Sequence, residues 1–247
     1  MADAGALFLI VAGPFVGSFV AAFAVRWPQG RSVVSGRSAC PTCAARLAWF
    51  DLVPLLSWLA RRGRCGACGT AIGALYPLTE LAALGIGLWA ATQFGGWELL
   101  LACLLGWTLL ALAVIDMRTM LLPDVLTGPV LVLGLVVAGA GGRLGDGVAG
   151  ALVGFAVFAL IALAYRRWRG RDGLGLGDAK LLGAAGAWVG WAGLPSIVLL
   201  ASVAALIVAV PMTLRVAGRV DRREIAFGPY LAGATWVTVM YGPVVLA

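Results

Sequence analysis

A series of long apolar runs, separated by short arginine-rich segments, most constrains this chain. Hydrophobic residues make up 62% of the sequence and charged residues only 12%, whereas soluble domains carry about 25% charged residues. An apolar run of about 20 residues can cross a bilayer as a helix. We therefore expect an all-α, polytopic membrane helical bundle with the lipid bilayer as its solvent. About eight transmembrane helices are predicted, at residues 5–25, 74–93, 97–117, 125–140, 146–165, 179–192, 194–214 and 228–246.

The positions of the basic residues predict the orientation of these helices. Of the 18 basic residues, all but Arg143 fall on alternate connections. Those connections are residues 26–73, 118–124, 166–180 and 215–227. Because basic loops stay inside, we expect these segments to be cytosolic and both termini to lie outside. Such scattered loop charge indicates membrane topology, so a nucleic-acid partner is not expected.

Four of the five cysteines form two C-x-x-C pairs in the most basic connection. Two such pairs are typical of a tetrahedral zinc site, with Cys40, Cys43, Cys65 and Cys68 as ligands. Four sulfur ligands leave no open position for a substrate, so the zinc is expected to be structural. The expected domains are a first transmembrane helix at 1–25, a cytosolic zinc module at 26–73 and a membrane core at 74–247.

The chain has no histidine, which excludes Ser-His and Cys-His catalysis and histidine-ligated zinc. Carboxylates are the main remaining acid–base groups, and at membrane depth they are functional candidates by default. Asp116 ends an apolar run, and Asp178 follows the glycine-rich segment 173–177. The predicted topology places both at the cytosolic membrane level. Two close carboxylates share a proton, so one can activate water while the other donates to a carbonyl oxygen.

Other interpretations of the acids stay open at this point. Asp178 could be the N-cap of its helix, and Asp124 could cap the next helix or replace Asp116 in the pair. Glu80 could be a first-turn partner of a helix dipole. Gly175 and Gly177 remove side chains beside Asp178 and would let an extended peptide approach. A proton-coupled membrane transporter with paired aspartates is the alternative function.

At these residues the chain resembles the bacterial type IV prepilin peptidases, which are membrane aspartyl proteases of the GxGD type. The resemblance is carried by an ordered series of short blocks along nearly the whole chain. These blocks are Gly17-Ser18-Phe19, Arg26-Trp27-Pro28, the two C-x-x-C pairs, residues 54–58, Tyr76-Pro77-Leu78-Thr79-Glu80, Ile115-Asp116, Leu122-Pro123-Asp124, residues 175–182 and Phe227-Gly228-Pro229-Tyr230.

This resemblance implies that Asp116, rather than Asp124, pairs with Asp178 in catalysis. It implies cleavage of the basic leader from prepilin or pseudopilin precursors at the cytosolic face of the bacterial inner membrane. It also implies N-methylation of the new N-terminus with S-adenosylmethionine, associated with the cysteine-bearing segment. Lys180, Glu80 and Asp124 would support the site or bind the substrate, with the two acids meeting the basic leader.

Two positions depart from the family pattern. Ala21 stands where the family commonly has asparagine, which puts methylation in more doubt than proteolysis. Asp172 stands where glutamate is common before the glycines, which is a milder change.

Overall fold

The computed structural model describes residues 4–32, 38–40, 42–170, 173–215 and 225–244. Within those ranges the fold is helical, and two isolated β-bridges are its only strand-like pairing. The helices are α1 (Ala4–Arg26), α2 (Leu56–Ala60), α3 (Leu75–Ala90), α4 (Gly96–Thr119), α5 (Asp124–Ala140), α6 (Leu144–Arg169), α7 (Leu176–Arg215) and α8 (Gly228–Tyr241). The predicted all-α class is therefore confirmed.

Four of the helical segments are long and apolar enough to cross a bilayer. They are Ala4–Gln29, Gly96–Thr119, Leu144–Arg169 and Leu176–Pro211. Helices α3 and α5 are also apolar but shorter. Large side chains such as Phe8 (71% exposed) and Leu160 (64% exposed) project outward from α1 and α6, as expected where lipid is the solvent.

Helix α7 contains a break that divides it into two helical stretches. Gly190 has φ 72° and ψ 177°, a backbone conformation that only glycine adopts without strain. The sequence predicted two separate segments here, with the boundary at Gly193, so the break lies three residues earlier than expected. With α7 counted as two stretches, each of the eight predicted apolar segments overlaps a helix.

The chain divides into two compact units, Met1–Val114 and Ile115–Ala247, with the boundary inside α4. In the first unit α1 packs closely on α3 at Gly17. A Cβ on this glycine would lie only 2.4 Å from the Thr79 carbonyl oxygen, so no side chain fits there. The Trp107 indole of α4 donates to the Ala83 carbonyl of α3 over 3.0 Å. Small residues at helix contacts and buried indole hydrogen bonds are typical of membrane bundles.

In the second unit α6 and α7 are in close contact at a pair of glycines, Gly150 and Gly186. A Cβ on Gly150 would lie 2.3 Å from the Gly186 carbonyl oxygen, so no side chain fits between the two backbones. The Trp188 indole of α7 donates to the Val130 carbonyl of α5 over 2.9 Å. These contacts hold the first stretch of α7, which carries Asp178 at its beginning, against α5 and α6.

Candidate active site

Asp116 lies three residues before the end of α4, and only 5% of its surface is exposed. The backbone N–H of Gly228, the first residue of α8, donates to Asp116 Oδ2 over 2.9 Å. A Cβ at position 228 would lie 2.6 Å from that oxygen, so the contact requires glycine. Asp116 is thus oriented by the N-terminal end of another helix, where free N–H groups favour a carboxylate.

Asp178 is the third residue of α7 and is half-buried. Its carboxyl group interacts electrostatically with that of Asp116, so the structure brings the two predicted acids together. The Asp178 backbone N–H donates to the Gly175 carbonyl over 3.1 Å. Since α7 already begins at Leu176, the N-cap interpretation of Asp178 is wrong.

The two glycines before Asp178 have different surroundings. Gly175 is exposed, and a Cβ there would lie 3.4 Å from Asp178 Oδ2. Gly177 packs on the α4–α5 connection, where a Cβ would lie 3.0 Å from the Leu122 Cβ. Gly175 therefore leaves open space beside the carboxylate, while Gly177 allows α7 to start close to Leu122. Asp172 lies outside the described residues.

Asp124 and Lys180 form an ion pair between the start of α5 and α7. Lys180 Nζ lies 2.6 Å and 2.8 Å from the two carboxylate oxygens of Asp124, and both side chains are exposed. The N-cap of α5 is Pro123, and Asp124 is the first helical residue. The cap interpretation of Asp124 is therefore wrong, because Asp124 already lies inside the helix and its side chain bonds to Lys180.

The two cysteine pairs occupy two copies of one backbone turn. The N–H of Cys40 donates to the Ala45 carbonyl, and the N–H of Ala44 donates back to Cys40. Cys65, with Thr70 and Gly69, repeats both bonds at the same spacing. An antiparallel bridge closes each copy, one joining Ala39 to Arg46 and the other Arg64 to Ala71. The repeat directs all four sulfur atoms to one point.

The geometry of these sulfurs fits a tetrahedral metal ion. All four Sγ atoms lie within 4.8 Å of one another, and Cys40 Sγ is 3.8 Å from Cys68 Sγ. Sulfurs bound to zinc at about 2.3 Å lie about 3.8 Å apart in a tetrahedron. The four cysteines could therefore hold a metal such as zinc.

The thiols of the cluster differ in how readily they ionise. Hydrogen bonds to the hydroxyl and backbone N–H of Thr70 lower the pKa of Cys68 to about 6. The Ala45 N–H lowers the pKa of Cys43, but its contacts with the other three cysteines and its burial together outweigh this and raise the pKa to about 11. Four thiolates at this distance repel one another unless a cation lies between them.

Glu80 lies in the first unit, in the second turn of α3, and only 5% of it is exposed. Its Oε2 accepts a hydrogen bond of 2.8 Å from the Leu55 backbone N–H, and Ser18 of α1 also hydrogen-bonds its carboxyl group. Leu55 has a φ of 61°, which is rare for a residue with a side chain. Glu80 is the sixth residue of α3, so the first-turn dipole interpretation is wrong.

A cavity of about 340 Å³ opens beside Glu80 within the first unit. Its walls are the C-terminal end of α1, the cysteine module and the first turns of α3. The lining includes both charged and aromatic side chains, among them Arg26, Arg61, Trp58 and Tyr76.

Sequence reasoning gave no site role to Gly228, Leu55 or Ser18. All three stand in blocks that carry the family resemblance, which is the signal that could have found them. Their partners lie far away in the sequence, and Leu55 contributes through its backbone alone. No side-chain pattern can indicate such a contact.

Two family descriptions match the chain. Residues 11–94 match the bacterial peptidase A24 N-terminal domain, and residues 103–210 match the type IV leader peptidase family. The cavity and the cysteines lie within the first match, and Asp116 and Asp178 lie within the second. No solved structure matches the chain significantly.

Several curated relatives carry the name prepilin leader peptidase/N-methyltransferase. The protein from Aeromonas salmonicida is 44% identical over 209 residues, covering 83% of this chain and 72% of the relative. The protein from Pseudomonas aeruginosa is 40% identical over 214 residues, covering 85% and 73%. The protein from Burkholderia pseudomallei is 44% identical over 210 residues, covering 83% and 67%. These matches confirm the resemblance, and the chain belongs to the type IV leader peptidase family.

Proposed function

We propose that this protein is a membrane-embedded aspartyl endopeptidase that removes the leader from type IV prepilin-like precursors and N-methylates the new N-terminus. The paired acids Asp116 and Asp178 carry the proteolytic part of this proposal. They are 62 residues apart in sequence, yet their carboxyl groups interact within one compact unit. The names of the curated relatives support both activities.

The two carboxyl groups share one proton and activate one water molecule. One carboxylate takes a proton from the water, and the water oxygen attacks the scissile carbonyl carbon. The other acid gives its proton to the carbonyl oxygen, which yields a neutral gem-diol. As the C–N bond breaks, a hydroxyl of the diol gives a proton to the aspartate pair. The pair gives a proton to the nitrogen of the leaving amine. The Gly228 N–H holds Asp116 in position during these steps.

The surrounding residues have supporting roles in this proposal. Lys180 lies two residues after Asp178 in α7, and its ion pair with Asp124 ties α7 to the first turn of α5. The open space at Gly175 admits an extended peptide next to the Asp178 carboxylate. Lys180 balances the charge of Asp124, so the pair supports the turn and does not attract the basic leader.

We also propose that the acids face the cytosol, that both termini lie outside and that eight helical stretches cross the bacterial inner membrane. The alternation of basic connections supports this topology. The break at Gly190 supports two crossings within α7. The four cysteines would hold a structural zinc in the cytosolic module at 26–73, while the protease core occupies residues 74–247.

The positions of the two acids argue against a proton-coupled transporter. Asp116 lies three residues from the end of α4, and Asp178 lies in the first turn of α7. Transport sites lie near the bilayer midplane. Acids at helix ends instead suit a scissile bond where a basic leader meets an apolar helix.

One reconstitution experiment tests both activities. The purified protein in proteoliposomes is mixed with a pilin precursor and methyl-labelled S-adenosylmethionine. We expect wild-type protein to shorten and label the precursor, and Asp116→Asn and Asp178→Asn each to abolish cleavage with the melting temperature retained. Either single variant cleaving at the wild-type rate would remove that residue from the catalytic pair.

A further inference from the structure

Three glycines precede Asp178 in the segment 173–177, and the backbone does not require any of them. Gly173, Gly175 and Gly177 all lack the left-handed φ that favours glycine. The reason for glycine at these positions must therefore lie in the space around each one, and that space differs along the segment.

The ring of Tyr165 occupies the space at the first glycine. A Cβ on Gly173 would lie 2.5 Å from Cδ1 of this ring and 3.0 Å from its Cζ, and the three nearest atoms all belong to the ring. Gly173 is otherwise exposed. An α6 side chain thus supports the beginning of the segment that leads to Asp178.

Tyr165 is the last residue of α6 that faces the rest of the unit. It continues the buried face of the helix, one turn after Ala162 and two turns after Phe158. Tyr165 itself is half-buried, whereas residues 166–169 are all exposed. Its ring is therefore directed toward the protein and not toward the surroundings.

The same face of α6 also supports the region that orients Asp116. The rings of Phe158 and Phe227 are in contact, with their centroids 6.3 Å apart. Phe227 directly precedes Gly228, whose N–H donates to Asp116. Phe158 and Tyr165 therefore place one rigid helix behind the supports of both acids.

The side chain of Leu122 occupies the space at the last glycine. A Cβ on Gly177 would lie 3.0 Å from the Leu122 Cβ and 3.3 Å from its Cδ1. A Cβ cannot rotate away, so any side chain at position 177 would push the α4–α5 connection from the start of α7. Because Gly177 directly precedes Asp178, this contact limits how closely Asp178 approaches the connection that follows Asp116.

The central glycine has no such neighbour. Apart from its neighbours in the chain, a Cβ on Gly175 would meet only Asp178 Oδ2 at 3.4 Å and the Gly177 nitrogen at 3.8 Å. Both are ordinary van der Waals distances, and Gly175 is exposed. In the described part of the chain, nothing fills the space that this glycine leaves open beside the carboxylate.

We propose that Tyr165 and Leu122 are positioning residues, which hold the two ends of the segment 173–177 while its centre stays open for the substrate backbone beside Asp178. This inference rests on the proteolytic part of the proposed function. Support of this kind affects the rate, because a misplacement of about 1 Å in a catalytic group can cost about 100-fold. Neither side chain takes part in proton transfer in this assignment.

The Tyr165 contact is tested by kcat and KM for a pilin precursor, with the full-length protein in proteoliposomes. We expect Tyr165→Leu, which stays apolar, to lower kcat about tenfold with little change in KM. Tyr165→Phe should keep the wild-type kcat, because ring carbons make the contact. Trp168→Leu is the control, at an aromatic residue of α6 that is 81% exposed. Equal kcat for Tyr165→Leu and Trp168→Leu would remove Tyr165 from the assignment.

The Leu122 contact has a control at the adjacent position. We expect Leu122→Ala to lower kcat about tenfold, because the atoms that pack on Gly177 beyond Cβ are lost. Leu121→Ala, at a leucine that is 56% exposed, should leave kcat unchanged. Melting temperatures in detergent show that each variant is folded. Wild-type kcat in both Tyr165→Leu and Leu122→Ala would overturn the inference.

Alanine at the glycines separates support from access without disturbing the buried parts of the fold. Gly173→Ala should lower kcat about fivefold, because the added methyl group displaces the Tyr165 ring, and it should add no further loss in Tyr165→Leu. Gly175→Ala should instead raise KM, because its methyl group enters the space left for the substrate. Wild-type kcat in Gly173→Ala, or independent losses in the double variant, would overturn the inference.

Failure of the proposed function gives a different result. Wild-type protein that cleaves no prepilin would overturn that function and this inference together. Wild-type protein that cleaves, with the variants at the wild-type kcat, would overturn this inference alone.

Discussion

The backbone nitrogen of Gly228 lies 2.9 Å from Asp116 Oδ2, although the two residues are 112 positions apart in the sequence. This bond joins the start of α8 to the end of α4 and fixes the direction of a buried carboxylate. Position 228 therefore tolerates no side chain, since a Cβ would also lie 3.0 Å from the Asp116 Cγ.

The first prediction is that Gly228→Ala lowers the rate of leader cleavage by roughly 100-fold, because a shift of about 1 Å in a catalytic group can cost that much. The matched control is Gly233→Ala in the same helix, where an added Cβ meets nothing within 4 Å. Both variants are assayed on a pilin precursor in proteoliposomes. Equal rates for the two variants would show that the Gly228 contact does not position Asp116.

The second prediction concerns the ion pair between Asp124 and Lys180. Both side chains are exposed, so the pair should contribute less than about 1 kcal/mol to stability. We nevertheless expect Asp124→Asn and Lys180→Met each to lower the cleavage rate about tenfold, because the pair holds the turn that carries Asp178.

A double-mutant cycle separates this positioning role from independent contributions. If the two residues act through each other, the double variant should cleave no more slowly than the slower single variant. The exchanged pair, Asp124→Lys with Lys180→Asp, should recover part of the lost rate. Multiplicative losses, with no recovery in the exchanged protein, would contradict the prediction.

Much of the fold followed from the sequence because lipid imposes a simple rule on it. Backbone polar groups in a bilayer must bond within their own helix, so each long apolar run has one available conformation. The predicted runs therefore overlap helices throughout. The predicted boundary in α7 lies three residues after the observed break. Gly193 and Pro195 are a typical boundary pattern, but the backbone leaves the helical conformation at Gly190.

The site was less predictable, because its contacts join distant backbone atoms. The cysteine spacing predicted a four-sulfur cluster, and the sulfurs do converge. The local sequence pattern favours Asp124 as a helix cap, but its partner is Lys180, 56 residues later. Glu80 looked like a dipole partner, but it accepts from the Leu55 backbone 25 residues earlier. Local patterns cannot report such pairs.

The third prediction is that the purified protein contains about one zinc ion per chain, since four thiolates form one closed site. Cys40→Ser and Cys65→Ser should each lose the metal, and the melting temperature should fall because metal binding contributes to folding. Cys103→Ser is the control, since that thiol is fully buried in α4 and outside the cluster. Metal content is measured by inductively coupled plasma mass spectrometry. Full zinc occupancy in Cys40→Ser would contradict the proposed site.

The last prediction concerns the packing of α1 on α3, which forms one wall of the cavity. A Cβ on Gly17 would lie 2.4 Å from the Thr79 carbonyl oxygen and 2.6 Å from the Glu80 Cα. Since both are backbone atoms, the two helices must move apart, and we expect Gly17→Ala to destabilise the protein by about 1–3 kcal/mol. The same movement should displace the Glu80 carboxylate from the Leu55 backbone N–H that donates to it.

Gly85→Ala provides the comparison, because that glycine is an exposed residue of α3 with nothing within 4 Å of an added Cβ. Alanine should be neutral or slightly stabilising there, by up to about 1 kcal/mol, since it favours helix more than glycine does. Thermal unfolding in detergent is measured on both variants. Both variants add one methyl group, but only at position 17 does that group meet backbone atoms of α3. If α1 packs closely on α3, the melting temperature of Gly17→Ala must lie below that of Gly85→Ala.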